Sequence, residues 1–85
     1  MNPRWELMIS GQVLEFADNL TKRERIGIMA EFERLTAHPV LGPDDFPRID
    51  GRGRTHHVRF AGGYGIKFWF DHGEKVVNVM EVGWQ

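Results

Sequence analysis

The chain has 85 residues, a net charge of −1, 41% hydrophobic and 27% charged residues, and no cysteine. One small domain spanning residues 1–85 is expected, and disulfides, thiolate catalysis and cysteine-based zinc sites are excluded. No stretch approaches the roughly 20 apolar residues of a membrane span and residues 1–14 carry no signal-peptide pattern, so a cytoplasmic protein without membrane contact is the expectation.

The first element is a short strand in "RWELMIS", where Trp5, Leu7 and Ile9 alternate with Glu6, Met8 and Ser10. Ser10 stands at a helix N-cap. In "GQVLEFADNL", Val13, Phe16, Ala17 and Leu20 fall on one helical face. Thr21 and Glu24 have the spacing of a capping box, and a second helix follows from about Lys22 to Ala37 with Ile28, Phe32 and Leu35 as its apolar stripe. Pro39 stops it, and the two helices form a hairpin.

Residues 39–53 hold three of the four prolines and read as a long irregular connection, with Ile49 expected to pin it to the core. "THHVRF" is the second strand, with Val58 and Phe60 predicted inward and His57 and Arg59 outward. "AGG" turns the chain. "YGIKFWF" is the third strand, with Ile66, Phe68 and Phe70 on one face and Lys67 and Trp69 on the other. After "DHGE", "KVVNVMEVG" makes a central fourth strand. The expected fold is α+β in the order β-α-α-β-β-β. A two-helix hairpin packs on one face of a curved, mainly antiparallel four-stranded sheet, and the other face stays open.

Charge is unevenly placed. From Arg48 to Lys67 there are five cations (Arg48, Arg52, Arg54, Arg59, Lys67) against Asp50, a local +4 that leaves −5 for the remainder. Such a patch attracts phosphate even on a mildly acidic protein, and it is equally the pattern of a solvated basic loop. Metal binding is not expected: His56 and His57, as strand neighbours, face apart, and Asp44-Asp45 is only a loop acid pair.

Three stretches, "IDG" at 49–51, "HHVRFAGGYGIKFWF" and "EKVVNVMEVG", together resemble the RelE/ParE toxin superfamily over essentially the whole chain. The resemblance implies the toxin of a type II toxin–antitoxin module with a cognate antitoxin as partner. It implies an mRNA endoribonuclease acting at the ribosome in the RelE branch, and a DNA gyrase poison in the ParE branch. It also brings Tyr64, which leads the third strand, into the RNA-binding set. The chain departs from the family at Gly65, where an arginine usually follows the tyrosine, and at Trp84-Gln85, where a basic or tyrosine side chain often stands.

Cleavage of RNA by its own 2′-hydroxyl needs a base, an acid and a cation for the phosphate charge, with no cofactor. By strand alternation, His57, Arg59 and Lys67 are the catalytic candidates, with Arg52 and Arg54 holding flanking phosphates and Trp69 stacking a base. The alternative is a non-catalytic, protein-binding member of the same fold, in which His57 is a surface histidine and Trp69 an interface aromatic.

Overall fold

A computed structural model describes residues 4–43, 45–49 and 51–85. Asp44 and Asp50 lie outside the described residues, so the loop acid pair and the local charge count are not tested at those two positions. The elements run β1 (Glu6–Ile9), α1 (Gly11–Asp18), α2 (Lys22–Ala37), β2 (Phe46–Ile49), β3 (Thr55–Ala61), β4 (Tyr64–Asp71) and β5 (Val76–Trp84). They form one five-stranded sheet in the order β1-β5-β4-β3-β2, antiparallel except where β1 runs parallel to β5.

The helix starts follow the sequence. The Ser10 side chain accepts from the Val13 N–H, and Thr21 and Glu24 form the full reciprocal capping box. Val13, Leu20, Ile28, Phe32 and Leu35 then bury against Tyr64, Ile66, Phe68, Val77, Val79 and Val82 of the sheet. Phe32, Phe68, Ile28 and Leu35 are all but sealed from water, which makes this layer the main source of stability.

The strand count is one higher than expected. Phe46–Ile49 leaves the long connection and pairs antiparallel with β3 as an edge strand. Ile49 does not anchor it in the core, being 74% exposed. The signal was weak because Pro47 sits inside the run, and proline is tolerated only in strands with an unpaired edge.

The facing of β3 is the reverse of the expectation. Ala61 opposes Tyr64 across a two-residue turn in which Gly62 and Gly63 both have positive φ, 58° and 85°. That is the primed hairpin geometry, which glycine alone adopts without strain, and it leaves no freedom in register. Tyr64 is buried toward the helices, so Ala61, Arg59 and His57 must share that side, and Val58 and Phe60 turn to the open face. The register assigned to β4 holds, with Ile66 and Phe68 buried and Lys67 and Trp69 on the open side.

Beyond the end of β1, a side chain continues the sheet. The Gln12 amide donates to the Val82 carbonyl at 2.9 Å and accepts the Val82 N–H at 3.0 Å, satisfying β5 where no strand lies beside it. Met80 is the extra residue of a bulge, since Lys67 faces Glu81 while Phe68 faces Val79. Its carbonyl accepts the Ser10 hydroxyl at 2.6 Å.

Candidate functional site

The open sheet face has two unlike halves. Toward the start of β3, Arg48 and His56 are cross-strand neighbours. A cavity of about 270 Å³ is lined by Arg54, Thr55, His56, Trp69 and Met80. Met80, the bulged residue, lines it with Trp69, so the cavity has an apolar wall, an aromatic face, a guanidinium and an imidazole. A flat ring or nucleobase stacked on Trp69 with a phosphate near Arg54 matches this set of groups. His56 is 5% exposed and lies at the base of this half.

Toward the β3–β4 turn the face becomes apolar. Val58 lies across from Phe46 in the β2–β3 register, and the Phe46 and Phe60 rings sit 5.8 Å apart. Phe60 pairs with Gly65, and a Cβ built on Gly65 would come within 3.2 Å of the Phe60 ring. Gly65 therefore carries the aromatic side chain of its neighbour over its bare backbone, the usual compensation for glycine in a strand. Gly83 follows Gly65 across β5 with nothing above it.

The seven residues singled out from the sequence divide by face. Arg54 and Trp69 come together, and Arg52 is exposed in the turn before them. Lys67 shares their face, but its ammonium lies 3.1 Å from the Glu81 carboxylate. His57, Arg59 and Tyr64 are on the other face. The grouping of His57 and Arg59 with Lys67, which rested on the β3 register, is overturned by the turn geometry.

On the helix side these three have neighbours of their own. Arg59 donates from Nε and Nη2 to the two carboxylate oxygens of Asp45 at 2.9 and 2.7 Å, a two-pronged pair. Its Nη1 reaches Glu31 at 3.4 Å, and Glu31 also holds Arg34 at 2.6 Å. The guanidinium lies over the Phe68 ring, 5.4 Å from its centre. The Asp45 hydrogen bond raises the Arg59 pKa against the opposing effect of burial. Burial pushes the Asp45 carboxyl upward, but hydrogen bonds from Arg59 and the Gly42 N–H, with the charges of Arg59 and His57, outweigh it and hold the group below the ordinary carboxylate range. An arginine so engaged is a strut between β3, α2 and the loop before β2. Tyr64 stacks on Trp84 at 4.7 Å and meets Phe16 edge-on at 6.0 Å. Burial, with the negative charge of Glu24, raises its hydroxyl pKa.

His56, not His57, is the histidine on the open side, and the alternation rule read from the turn instead of from Val58 and Phe60 would have found it. Met80 had no sequence signal, because a bulge is a property of pairing. Among the described residues, no three histidine, aspartate or glutamate side chains gather as a metal site, and no helix is long and apolar enough to cross a membrane.

No protein-family model and no curated protein matches the chain. Solved structures do. The RelE–RelB complex of the archaeon Pyrococcus horikoshii aligns over 96% of both chains at 15% identity with a TM-score of 0.78. The RelBE2 toxin–antitoxin complex of Mycobacterium tuberculosis aligns over 100% of this chain and 95% of that one, at 13% identity and a TM-score of 0.78. The isolated RelE toxin of E. coli covers 94% of this chain, with 83% of its own length matched, at 16% identity and a TM-score of 0.74. The two-helix, mixed-sheet architecture is the RelE toxin fold.

Proposed function

We propose that this chain is the toxin of a type II toxin–antitoxin module, restrained in the cytoplasm by a cognate antitoxin and acting through its open sheet face on RNA at the ribosome. The observation that carries the RNA reading is the cavity in which Arg54, His56 and Trp69 meet. It offers a stacking surface and a cation side by side, the pairing that unstacked bases and their phosphates require. The fold supports the toxin reading, since the solved neighbours are RelE toxins and RelE–RelB complexes.

Binding is better supported than cleavage. Lys67 has to exchange Glu81 for a phosphate before it can stabilise charge, and Gly65 supplies nothing. Cleavage in this chain would fall to Lys67 and Arg54 with His56 as the proton-transfer group, while His57 and Arg59 act on the helix side. A second reading, a protein target such as DNA gyrase, is favoured by the apolar half formed by Phe46, Val58 and Phe60.

Induction of the chain alone is expected to slow bacterial growth, and Trp69→Ala and Arg54→Ala to relieve the arrest. Transcript cleavage in a translating extract separates a ribonuclease from a gyrase poison, which instead yields gyrase-linked DNA breaks. Harmless accumulation of folded protein would overturn both readings.

A further inference from the structure

Trp84 stands where the RelE/ParE resemblance places a basic or tyrosine side chain, and the RNA reading gives it no task. It ends β5 opposite Tyr64, whose ring stacks on one face of the indole at 4.7 Å, and it remains 58% exposed. Between it and α1 lies a cavity of about 370 Å³, lined by Gln12, Glu15, Phe16, Asn19, Leu20 and Trp84. That volume falls in the range of small-molecule sites. The wall is also held in place, since the Gln12 amide is tied at both ends to Val82, two residues before Trp84. No residue is shared with the Arg54–Trp69 cavity, so a ligand here is independent of the RNA reading.

The polar atoms of the wall favour a cation. Among the described residues, no lysine or arginine pairs with the Glu15 carboxylate. Asn19 donates its Nδ2 to the Glu15 carbonyl at 2.9 Å, leaving Oδ1 as an acceptor. α1 carries Glu15 and Asp18 and no basic residue, and its C-terminal end adds the negative pole of the helix. Arg25 donates to the Ala17 and Leu20 carbonyls and is not part of the cavity wall. Beside these acceptors are the Phe16 and Trp84 rings, 5.7 Å apart, whose faces attract positive charge.

We propose that this cavity binds a small alkylguanidinium, its flat head stacked on Trp84 and its N–H groups donating to the Glu15 carboxylate. A guanidinium is planar and weakly hydrated, so it joins an aromatic face to a carboxylate better than a compact, strongly hydrated ammonium does. A carboxylate on the ligand would be set against Glu15 and Asp18. A molecule such as agmatine, cationic at both ends, therefore fits better than free arginine, and a phosphate is repelled on the same ground.

The test is an NMR titration of the isotope-labelled whole chain, followed at the indole N–H signals of Trp5, Trp69 and Trp84. Butylguanidinium is expected to shift the Trp84 signal saturably and to leave those of Trp5 and Trp69 in place. Butylammonium should bind more weakly, agmatine more tightly than butylguanidinium, and arginine more weakly than agmatine. Glu15→Gln should weaken butylguanidinium binding about tenfold, and Trp84→Ala, followed at the Phe16 and Leu20 amides, about as much. Glu6→Gln, which changes an exposed carboxylate on β1, should leave it unchanged. Shifts that do not saturate, equal shifts at all three indoles, butylammonium binding as tightly, or full affinity in Glu15→Gln would overturn the proposal. So would an arginine-containing peptide that binds far more tightly than butylguanidinium, which would make a polypeptide the ligand. Circular dichroism of each variant separates lost binding from lost folding.

Discussion

At Gly65 a missing side chain is answered by a neighbouring one. The space above its Cα belongs to the Phe60 ring, which is itself 46% exposed and able to swing aside. Placing here the arginine that the RelE/ParE resemblance implies is therefore not free. Gly65→Arg must displace the ring, whereas Gly65→Arg combined with Phe60→Ala meets open space. A double-mutant cycle by urea denaturation is expected to give a coupling of about 0.5–3 kcal/mol between the two sites. Affinity for single-stranded RNA should rise in the double variant, since the new guanidinium faces the same side as Trp69. A second residue-scale prediction concerns Lys75, whose φ of 56° lies in the left-handed region. Lys75→Gly should stabilise the β4–β5 turn by about 0.5–1 kcal/mol, read as a higher urea midpoint.

At the scale of elements, the Arg59–Asp45–Glu31 ion pairs decide how the loop before β2 sits. The Asp45 side chain is 2% exposed and that of Arg59 18%. Removing either partner leaves Arg59 with only Glu31 at 3.4 Å, or Asp45 with only the Gly42 N–H, so Asp45→Asn or Arg59→Ala should cost about 1–3 kcal/mol in chemical denaturation. Arg59→Lys should recover only part, because an ammonium cannot make the two-pronged contact. Asp45 is depressed in the folded state, so its stabilisation is complete above the ordinary carboxylate value of about 3.9 and is lost as pH falls through the lower folded value. Below about pH 4 the wild type should therefore lose stability more steeply than Asp45→Asn. Much of the element order was legible in the sequence, because capping residues and the alternation of β4 act locally. The faces of β3 were not. Val58 and Phe60 look like core residues until the Gly62-Gly63 turn is given its tight geometry, and the acids that hold Arg59 inside lie 14 and 28 positions away. Half of the candidate site depended on that one strand: Arg54 and Trp69 do line one cavity, but the histidine beside them is His56 and not His57.

At the scale of the whole molecule, the sheet is tied together by segments 70 positions apart. β1 lies against β5, Gln12 clamps Val82, and Ser10 binds the Met80 carbonyl, each across 70 positions. Val77, Val79 and Val82 supply the part of the core that both helices cover. A chain ending at Glu74 should accordingly be unfolded, with neither helical circular dichroism nor protected amides, although it contains both helices and the β3–β4 hairpin. Gln12→Ala should cost about 1–3 kcal/mol by leaving the Val82 backbone unpaired.

That clasp also sets a clock. Its contacts join residues 6–12 to residues 76–82, so the closing step of folding cannot begin until residues 76–84 have been made, and the long loop it closes slows folding further. A nascent chain is thus a partial sheet lacking the strand that both helices need, with neither face complete.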